Sequence, residues 1–326
     1  MGTRNRNRSR SRSRRSLPSG CGKRLNPAGK DTRAVENGMA ARQPKGECMR
    51  LGISTSLQAK NGEEWAQKLS ALGCKAAVFP LHYTAPDKEI DEYVRAAKEH
   101  DLLIAEVGIW RNVFALDPKE REEARQMAKG QLGLAERIGA RCCVNTSGTF
   151  GGPVWDGGYK ENFSKKCWDD VVTYTQELID EVKPTHTCYS VEPMPWMAPT
   201  GPDECIKLMK DVDRKAFGIH LDFINMINCP QRYFFADDFM DECFEKLGKY
   251  ILSCHMKDIR LRHELTFQLE EVRCGDGAIN LEKYCRKINE CDPDMPVILE
   301  HLNSDQDYRE SLAYVTKRLE KAGIAF

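Results

Sequence analysis

The chain has 326 residues, of which 41% are hydrophobic, and its formal net charge at pH 7 is zero. This length and composition predict a globular protein with a substantial core, built as two average domains or as one large barrel. No apolar run reaches the length of a membrane span, and the N-terminus lacks the apolar segment of a signal peptide. We therefore expect a soluble, cytoplasmic protein without a membrane partner.

The neutral total hides two regions of opposite charge. Residues 1–48 contain 13 basic and 3 acidic residues, whereas the rest of the chain contains 36 basic and 46 acidic residues. The Arg/Ser-rich sequence of residues 1–48 cannot bury a core, which predicts a disordered extension, with an RNA-binding or targeting arm as the alternative. Residues 49–326 form the predicted catalytic domain. Because this domain is acidic, no general nucleic-acid surface is expected.

Fourteen cysteines are spread along the chain, many of them inside apolar segments, and no CxxC pair occurs. This distribution gives no support to a zinc knuckle or a thioredoxin-like site, and it does not resemble the disulfide framework of a small secreted protein. We expect reduced, mostly buried cysteines, which agrees with a cytoplasmic location.

From residue 50 onward, a short apolar run followed by a helical pattern recurs eight times. The predicted strands are "RLGIS" (50–54), "AAVFP" (76–80), "LLIAEVG" (102–108), "RCCVNTS" (141–147), "TCYSVEP" (187–193), "AFGIHLD" (216–222), "YILSCHMKD" (250–258) and "PVILEHL" (296–302). The predicted helices cover about 62–72, 87–100, 118–139, 167–183, 202–213, 237–249, 280–290 and 307–323. Eight alternating units predict a single α/β domain, a (β/α)₈ TIM barrel, whose chemistry lies at the carboxyl ends of the strands.

Four late strands end in potential metal ligands, namely Glu192, Asp222, His255 and Glu300. Each follows an apolar run at nearly the same depth, so a parallel barrel would direct all four toward one point above the core. Three carboxylates crowded together repel one another unless a cation neutralises them. This hard, mostly oxygen donor set suits Mn²⁺, Mg²⁺ or Co²⁺, with Zn²⁺ less natural.

The segments around these residues resemble the sugar phosphate isomerase/epimerase superfamily of xylose isomerase-like TIM barrels. The resemblance covers residues 49–326 and is carried by "VEP" at Glu192, "LDFIN" at Asp222, "HMKD" at His255, "GDGAIN" at 275–280 and "LEH" at Glu300. This superfamily includes ketose 3-epimerases, inosose dehydratase and isomerase, and hydroxypyruvate isomerase. The resemblance implies that the four residues bind one divalent ion and that Glu192 and Glu300 are catalytic. Mn²⁺ is the ion that we expect. It also implies a homo-oligomer acting on a small sugar.

These roles predict a metal-dependent sugar isomerase or epimerase. A metal chelated by a hydroxyl and the adjacent carbonyl acidifies the intervening C–H and stabilises the enediolate. Return of the proton to the opposite face gives epimerisation, and its return to the neighbouring carbon gives isomerisation.

At two positions the sequence departs from the pattern of the ketose 3-epimerases, which disfavours a standard free-ketose epimerase. Ketose 3-epimerases carry a histidine where this chain has Asn225, and an arginine where it has Leu261. A close alternative is therefore a carbon–carbon lyase that resembles the large subunit of the C-glycoside deglycosidases, which cleaves 3-oxo-C-glycosides by enolate chemistry beside a small β-rich partner. An enzyme resembling endonuclease IV is disfavoured because its three-zinc site needs more histidines than this chain supplies. A metal-free binding barrel is the remaining alternative.

Four further residues are predicted to bind substrate. His82 and Glu106 lie at the ends of the second and third strands, and Trp196 follows Glu192 closely enough to stack on a sugar. Lys257 lies two residues after His255 and shares its face, so it would polarise a substrate oxygen or pair with Asp258.

Overall fold

The computed structural model describes residues 48–54 and 57–326, and the extension predicted for residues 1–48 lies outside this part apart from Cys48. Eight parallel strands form one sheet. They are β1 (Arg50–Ile53), β2 (Ala76–Val78), β3 (Leu103–Gly108), β4 (Cys142–Thr146), β5 (Tyr189–Glu192), β6 (Phe217–Leu221), β7 (Ile251–Met256) and β10 (Pro296–Leu299). The eight predicted strands are therefore confirmed, within two or three residues at their ends.

The sheet runs in the order β1-β10-β7-β6-β5-β4-β3-β2 and curls into a nearly closed barrel. At the seam between β1 and β2, the Lys75 N–H donates to the carbonyl of Leu51 at 2.7 Å. Gly52 lies beside this seam, and a Cβ there would overlap the carbonyl oxygen of Ala76. Glycine is thus required for the first and second strands to approach each other.

Helices cover the outside of the barrel and begin and end at recognisable capping residues. The Asp117 side chain accepts the N–H groups of Lys119 and Glu120 at the start of α3, and Gly139 ends that helix in the left-handed conformation. The helices are α1 (Gly62–Ala71), α2 (Asp87–Glu99), α3 (Pro118–Ile138), α4 (Lys165–Val182), α5 (Pro202–Val212), α6 (Pro230–Phe234), α7 (Ala236–Leu247), α8 (Leu281–Cys291) and α9 (Asp305–Ala322). In the described part of the chain, no helix is long and apolar enough to cross a membrane.

The apolar core lies mainly between the strands and the surrounding helices. It is one continuous cluster that includes Leu132 of α3, Leu208 of α5 and Tyr284 of α8, each of them fully buried. Smaller clusters, such as the one that joins Cys142, Val144 and Leu252, pack separately. The thirteen described cysteines are free thiols and ten are buried, as expected from the sequence.

An antiparallel hairpin interrupts the regular alternation after β7, in a segment that the sequence analysis treats as loop. It pairs β8 (Asp258–Leu261) with β9 (Leu269–Val272). The sequence pattern misses it because β8 has only four residues and follows β7 after a single residue, Lys257. The residues of β9, "LEEV", do not alternate between apolar and polar, and they are half-buried or exposed. The hairpin matters for function because it extends from the strand that carries His255.

Candidate active site

Four side chains from neighbouring strands meet at the carboxyl end of the barrel. Glu192 ends β5, Asp222 directly follows β6, His255 lies in β7, and Glu300 directly follows β10. These strands are adjacent in the sheet, and their parallel pairing keeps their ends level. All four residues are buried, and one ligand atom from each lies within 4.8 Å of the others. The structure therefore brings together the four residues that the sequence analysis selects as metal ligands.

The two oxygens of Asp222 have different surroundings. Oδ1 accepts the N–H groups of Ile224 at 2.9 Å and Asn225 at 3.0 Å, so the turn after β6 fixes the carboxylate. Oδ2 is buried and is paired with the Lys257 ammonium, whose Nζ atom lies 2.8 Å away. One oxygen of Asp222 is thus held by the backbone, and the other is directed toward positive charge inside the cluster.

His255 presents a single ring nitrogen to the cluster. Its Nδ1 atom lies 2.8 Å from Glu300 Oε2 and 3.3 Å from Glu192 Oε1. Glu192 Oε1 also accepts a hydrogen bond from Asn225 Nδ2 at 2.9 Å. These contacts give both glutamates defined positions on the Nδ1 side of the imidazole.

Lys257 lies inside the same cluster, with 2% of its side chain exposed. Its Nζ atom is 2.8 Å from Asp222 Oδ2, 3.0 Å from Glu300 Oε1 and 3.2 Å from Glu271 Oε1. Burial lowers the pKa of Lys257, but the three carboxylates outweigh burial and hold the pKa well above its usual value. The side chain is therefore an ammonium ion. It faces these carboxylates and not Asp258, the other partner considered from the sequence.

The two candidate catalytic glutamates have pKa values shifted in opposite directions. Burial raises the pKa of Glu192 to about 7. The positive charge of His255 lowers this pKa, and repulsion by Glu300 raises it, but both effects are smaller than that of burial. Burial also acts to raise the pKa of Glu300, but the charges of His255 and Lys257 outweigh it and hold that pKa well below its usual range. These shifts belong to the metal-free protein. There burial lowers the pKa of His255, but the surrounding carboxylates outweigh burial and hold that pKa well above its usual value, so the imidazole is charged. Neighbouring carboxyl groups with separated pKa values are typical of acid–base sites.

The donor set fits a divalent cation. With His255 neutral, as a metal ligand must be, the three carboxylates and the Lys257 ammonium leave two negative charges in a buried site. Oxygen donors with one imidazole suit Mn²⁺ or Mg²⁺ better than a softer metal. The clustered ligand atoms and the excess of negative charge support this fit. The identity of the ion stays a prediction.

Two residues that the sequence analysis overlooks lie beside Lys257. Glu271 comes from the hairpin strand β9, and His301 follows Glu300 with a φ of 56°. His301 Nδ1 lies 3.0 Å from Glu271 Oε1, and this hydrogen bond raises the pKa of His301, against burial. The histidine directly after Glu300 was a visible signal, whereas nothing local marked Glu271 because the hairpin itself was not predicted.

Glu106, a predicted substrate-binding residue, lies on the opposite side of His255. It is 1% exposed, and its Oε1 atom is 3.4 Å from His255 Nε2. The contact that the structure shows for Glu106 is with His255, and its role in substrate binding stays a prediction.

His82 and Trp196, the other two predicted substrate-binding residues, are exposed and stay predictions in that role. His82 lines a cavity of about 530 Å³ together with Arg111 and Trp155, but this cavity is not lined by any of the four clustered residues. The Trp196 indole N–H donates to the carbonyl of Asp156 at 2.7 Å, which ties the segment after β5 to the long loop after β4.

Trp110 provides an aromatic surface next to the cluster. Its ring is stacked against the His255 ring, with a centroid separation of 6.1 Å and an interplanar angle of 29°. A Cβ at Gly108 would overlap the indole, so glycine at the end of β3 is needed for Trp110 to take this position.

Many known structures share this fold. A xylose isomerase-like TIM barrel protein from Mycobacterium smegmatis, in complex with magnesium, is 18% identical, with 85% of this chain and 98% of that chain covered and a TM-score of 0.61. D-psicose 3-epimerase from Clostridium cellulolyticum, solved with D-tagatose, is 13% identical, with coverages of 85% and 100% and a TM-score of 0.61. Endonuclease IV from Thermus thermophilus is 14% identical, with coverages of 83% and 99% and a TM-score of 0.63.

These identities are low, so the structural matches show the fold and do not select among the activities in their names. No curated protein sequence matches the chain significantly. The sequence model of the xylose isomerase-like TIM barrel family, in contrast, matches residues 66–318, which include all four clustered residues. The chain therefore belongs to the xylose isomerase-like TIM barrel family.

Proposed function

We propose that this protein is a divalent-metal-dependent sugar isomerase or epimerase that moves a proton on a carbon next to a carbonyl group. The observation that carries the proposal is the pair of buried glutamates, Glu192 and Glu300, which share a cluster with Asp222 and His255. In the metal-free protein their environments also shift their pKa values in opposite directions, and carboxyl pairs of this kind are typical of acid–base sites.

The residues that would hold the cation are Glu192, Asp222, His255 and Glu300. A divalent ion bound there supplies Lewis-acid polarisation of the substrate carbonyl and its neighbouring hydroxyl. The ion is expected to be Mn²⁺, with Mg²⁺ next, and both fit the oxygen-rich donor set.

The remaining chemistry belongs to side chains of this protein. Glu192 and Glu300 accept the substrate proton and return it, and their burial keeps competing water away from the reacting carbon. Asn225 fixes one oxygen of Glu192, and the Lys257 ammonium donates to Glu300. Both contacts hold the carboxylates in one orientation before the substrate binds.

The proposal is tested by metal analysis of the full-length protein, followed by a substrate panel of free ketoses, inososes and 3-oxo-glycosides. One tightly bound divalent ion and turnover of one sugar class are expected. Glu192→Gln and Glu300→Gln should each lower kcat by at least about 100-fold, as loss of a general acid or base does. Full activity in both variants, or a purified protein that binds no divalent ion, would overturn the proposal.

Glu136→Gln is a matched control for these two variants. Glu136 accepts the N–H groups of His186 and Thr187, in the segment that precedes β5, and so lies at the other end of that strand from Glu192. This control loses a hydrogen-bonded carboxylate without touching the cluster, and its kcat should be that of the unmodified protein.

A second candidate is elimination from an oxidised glycoside, in which removal of the C2 proton next to a C3 ketone expels the C1 substituent. Exposed indoles favour it, since Trp155 and Trp196 are 37% and 42% exposed in the loops after β4 and β5 and could stack on an aryl group. The 3-oxo-glycoside arm of the panel separates the candidates, because elimination releases the aglycone and epimerisation does not. The oligomeric state, whether a homo-oligomer or an assembly with a small β-rich subunit, stays a prediction.

An endonuclease-type activity has less support. Within the described residues, the two buried clusters of potential ligands contain His220 and His255 and no other histidine. This number is too small for the three-metal site that such an activity requires. The acidic character of residues 49–326 also opposes binding to a phosphate backbone.

A further inference from the structure

A second buried cluster lies on the far side of His255 and consists of Glu106, His220 and His255. Glu106 Oε1 is 3.4 Å from His255 Nε2, and its Oε2 is 3.4 Å from His220 Nδ1. The two imidazole rings meet edge to face, with centroids 4.0 Å apart. His255 therefore links the two clusters, with Nδ1 facing the three carboxylates and Nε2 facing Glu106.

A carboxylate as deeply buried as Glu106 needs a proton donor or a cation nearby. Its side chain is 1% exposed, and Oε2 has no hydrogen-bonded partner among the described residues. The His220 Nδ1 atom is in hydrogen-bond contact with the Ser253 hydroxyl, on the neighbouring strand. This leaves the Nε2–H group of His255 as the donor with which Glu106 forms its hydrogen bond.

We propose that Glu106 is a positioning residue, which accepts the Nε2–H of His255 and thereby directs the unprotonated Nδ1 toward Glu192, Asp222 and Glu300. The inference rests on the proposed metal site. Neutral imidazole carries one proton, so a hydrogen bond at one nitrogen decides which nitrogen has the free lone pair. A carboxylate partner also makes the imidazole a stronger base, and therefore a stronger ligand.

The cluster has one competing explanation, a second metal ion bound directly by Glu106, His220 and His255. Their ligand atoms lie within 4.8 Å of one another, as at the first cluster. The two explanations differ in stoichiometry, because a positioning role leaves one ion per chain and a second site requires two.

Metal binding to full-length Glu106→Gln provides the test. Mn²⁺ affinity is measured by competition with a chelator, and the visible spectrum is recorded after loading with Co²⁺. Glutamine keeps the shape of the side chain but removes its charge, so we expect an Mn²⁺ affinity about 10- to 100-fold weaker, the usual cost of losing such a partner. The Co²⁺ ligand-field bands should also shift, since they report the bonding of the histidine ligand.

Glu136→Gln is the control, because it removes a hydrogen-bonded carboxylate from another part of the fold and should leave both readouts unchanged. Unchanged Mn²⁺ affinity and an unchanged Co²⁺ spectrum in Glu106→Gln would overturn the positioning role and leave the proposed function standing. Two ions in the unmodified protein and one in Glu106→Gln would also overturn it, in favour of a second metal site. Absence of metal binding in the unmodified protein would overturn both proposals.

Discussion

The buried ammonium group of Lys257 lies 2.8 Å from Oδ2 of the buried Asp222. This contact joins the end of β6 to the segment after β7, and it places a fixed positive charge at the candidate metal site. Lys257 thus offsets part of the carboxylate repulsion, and a divalent ion would neutralise the remainder.

Lys257→Met should destabilise the metal-free protein, because it leaves the buried carboxylates around it without their cation. Loss of one partner from a buried ion pair costs about 3–5 kcal/mol, so a large decrease in the melting temperature in EDTA is expected. Excess Mn²⁺ should recover more stability in this variant than in the unmodified protein, since binding to the folded state alone stabilises it. Thermal unfolding with EDTA and with Mn²⁺ measures both effects.

Lys165→Met is a suitable control for that experiment. Lys165 is 86% exposed and pairs with Asp169 one turn along α4, a contact of small energetic value. Its melting temperature should stay close to that of the unmodified protein in both solutions. An equal loss of stability in the two lysine variants would contradict the role assigned to Lys257.

Asp258→Asn should weaken the turn that follows the hairpin. The Asp258 carboxylate accepts four backbone N–H groups, from Ile259, Gly275, Gly277 and Ile279, at 2.9–3.1 Å. An amide is a weaker acceptor than a carboxylate and brings donors into a place that needs acceptors, so a loss of about 2–3 kcal/mol is expected in urea unfolding. Asp276→Asn, in the same turn but half-exposed, should cost less than about 1 kcal/mol. Equal effects would argue against this turn as an anchor of the hairpin.

Gly52→Ala tests the seam of the barrel. The added methyl group would overlap the backbone of β2, which cannot move without opening the seam. The free energy of unfolding should therefore fall by about 1–3 kcal/mol. Gly133→Ala in α3 is the matched control because its Cβ would meet no atom within 4 Å. Alanine is the better helix former, and this variant should gain up to about 1 kcal/mol. Chemical denaturation of both variants would reveal the opposite signs, and a stable Gly52→Ala protein would contradict the close approach at the seam.

Glu136 should contribute to the pH dependence of stability. Burial opposes ionisation, but hydrogen bonds from the segment 185–187 outweigh burial and lower the pKa of Glu136 to about 2 from its ordinary value of 4.5. A lowered pKa means that the unfolded chain binds more protons in this interval, so the contribution is complete above pH 4.5 and is lost as the pH falls toward 2. Glu136→Gln should therefore unfold more easily at pH 7 but lose less stability between pH 4.5 and pH 2. Parallel stability curves for the two proteins would contradict this.

The sequence was sufficient to predict the barrel and the convergence of four of its strand ends. Eight apolar runs alternate with helical patterns, which leaves few topologies open. Side chains alternate between the two faces of a strand, and parallel strands end at the same side of the sheet. These two properties are enough to bring Glu192, Asp222, His255 and Glu300 to one end of a barrel. These properties depend on local patterns, so they can be read without coordinates.

Only the tertiary structure decided which groups surround those four residues. The burial of Glu106 behind His255 depends on how β3 faces β7 across the barrel, and no spacing in the chain encodes that distance. The contact of Glu271 with Lys257 depends on a hairpin of two four-residue strands, and the strand that carries Glu271 lacks a clear alternation of apolar and polar residues. The partners of a buried charge are set by packing between segments distant in sequence, and this packing fixes the protonation states on which the proposed chemistry depends.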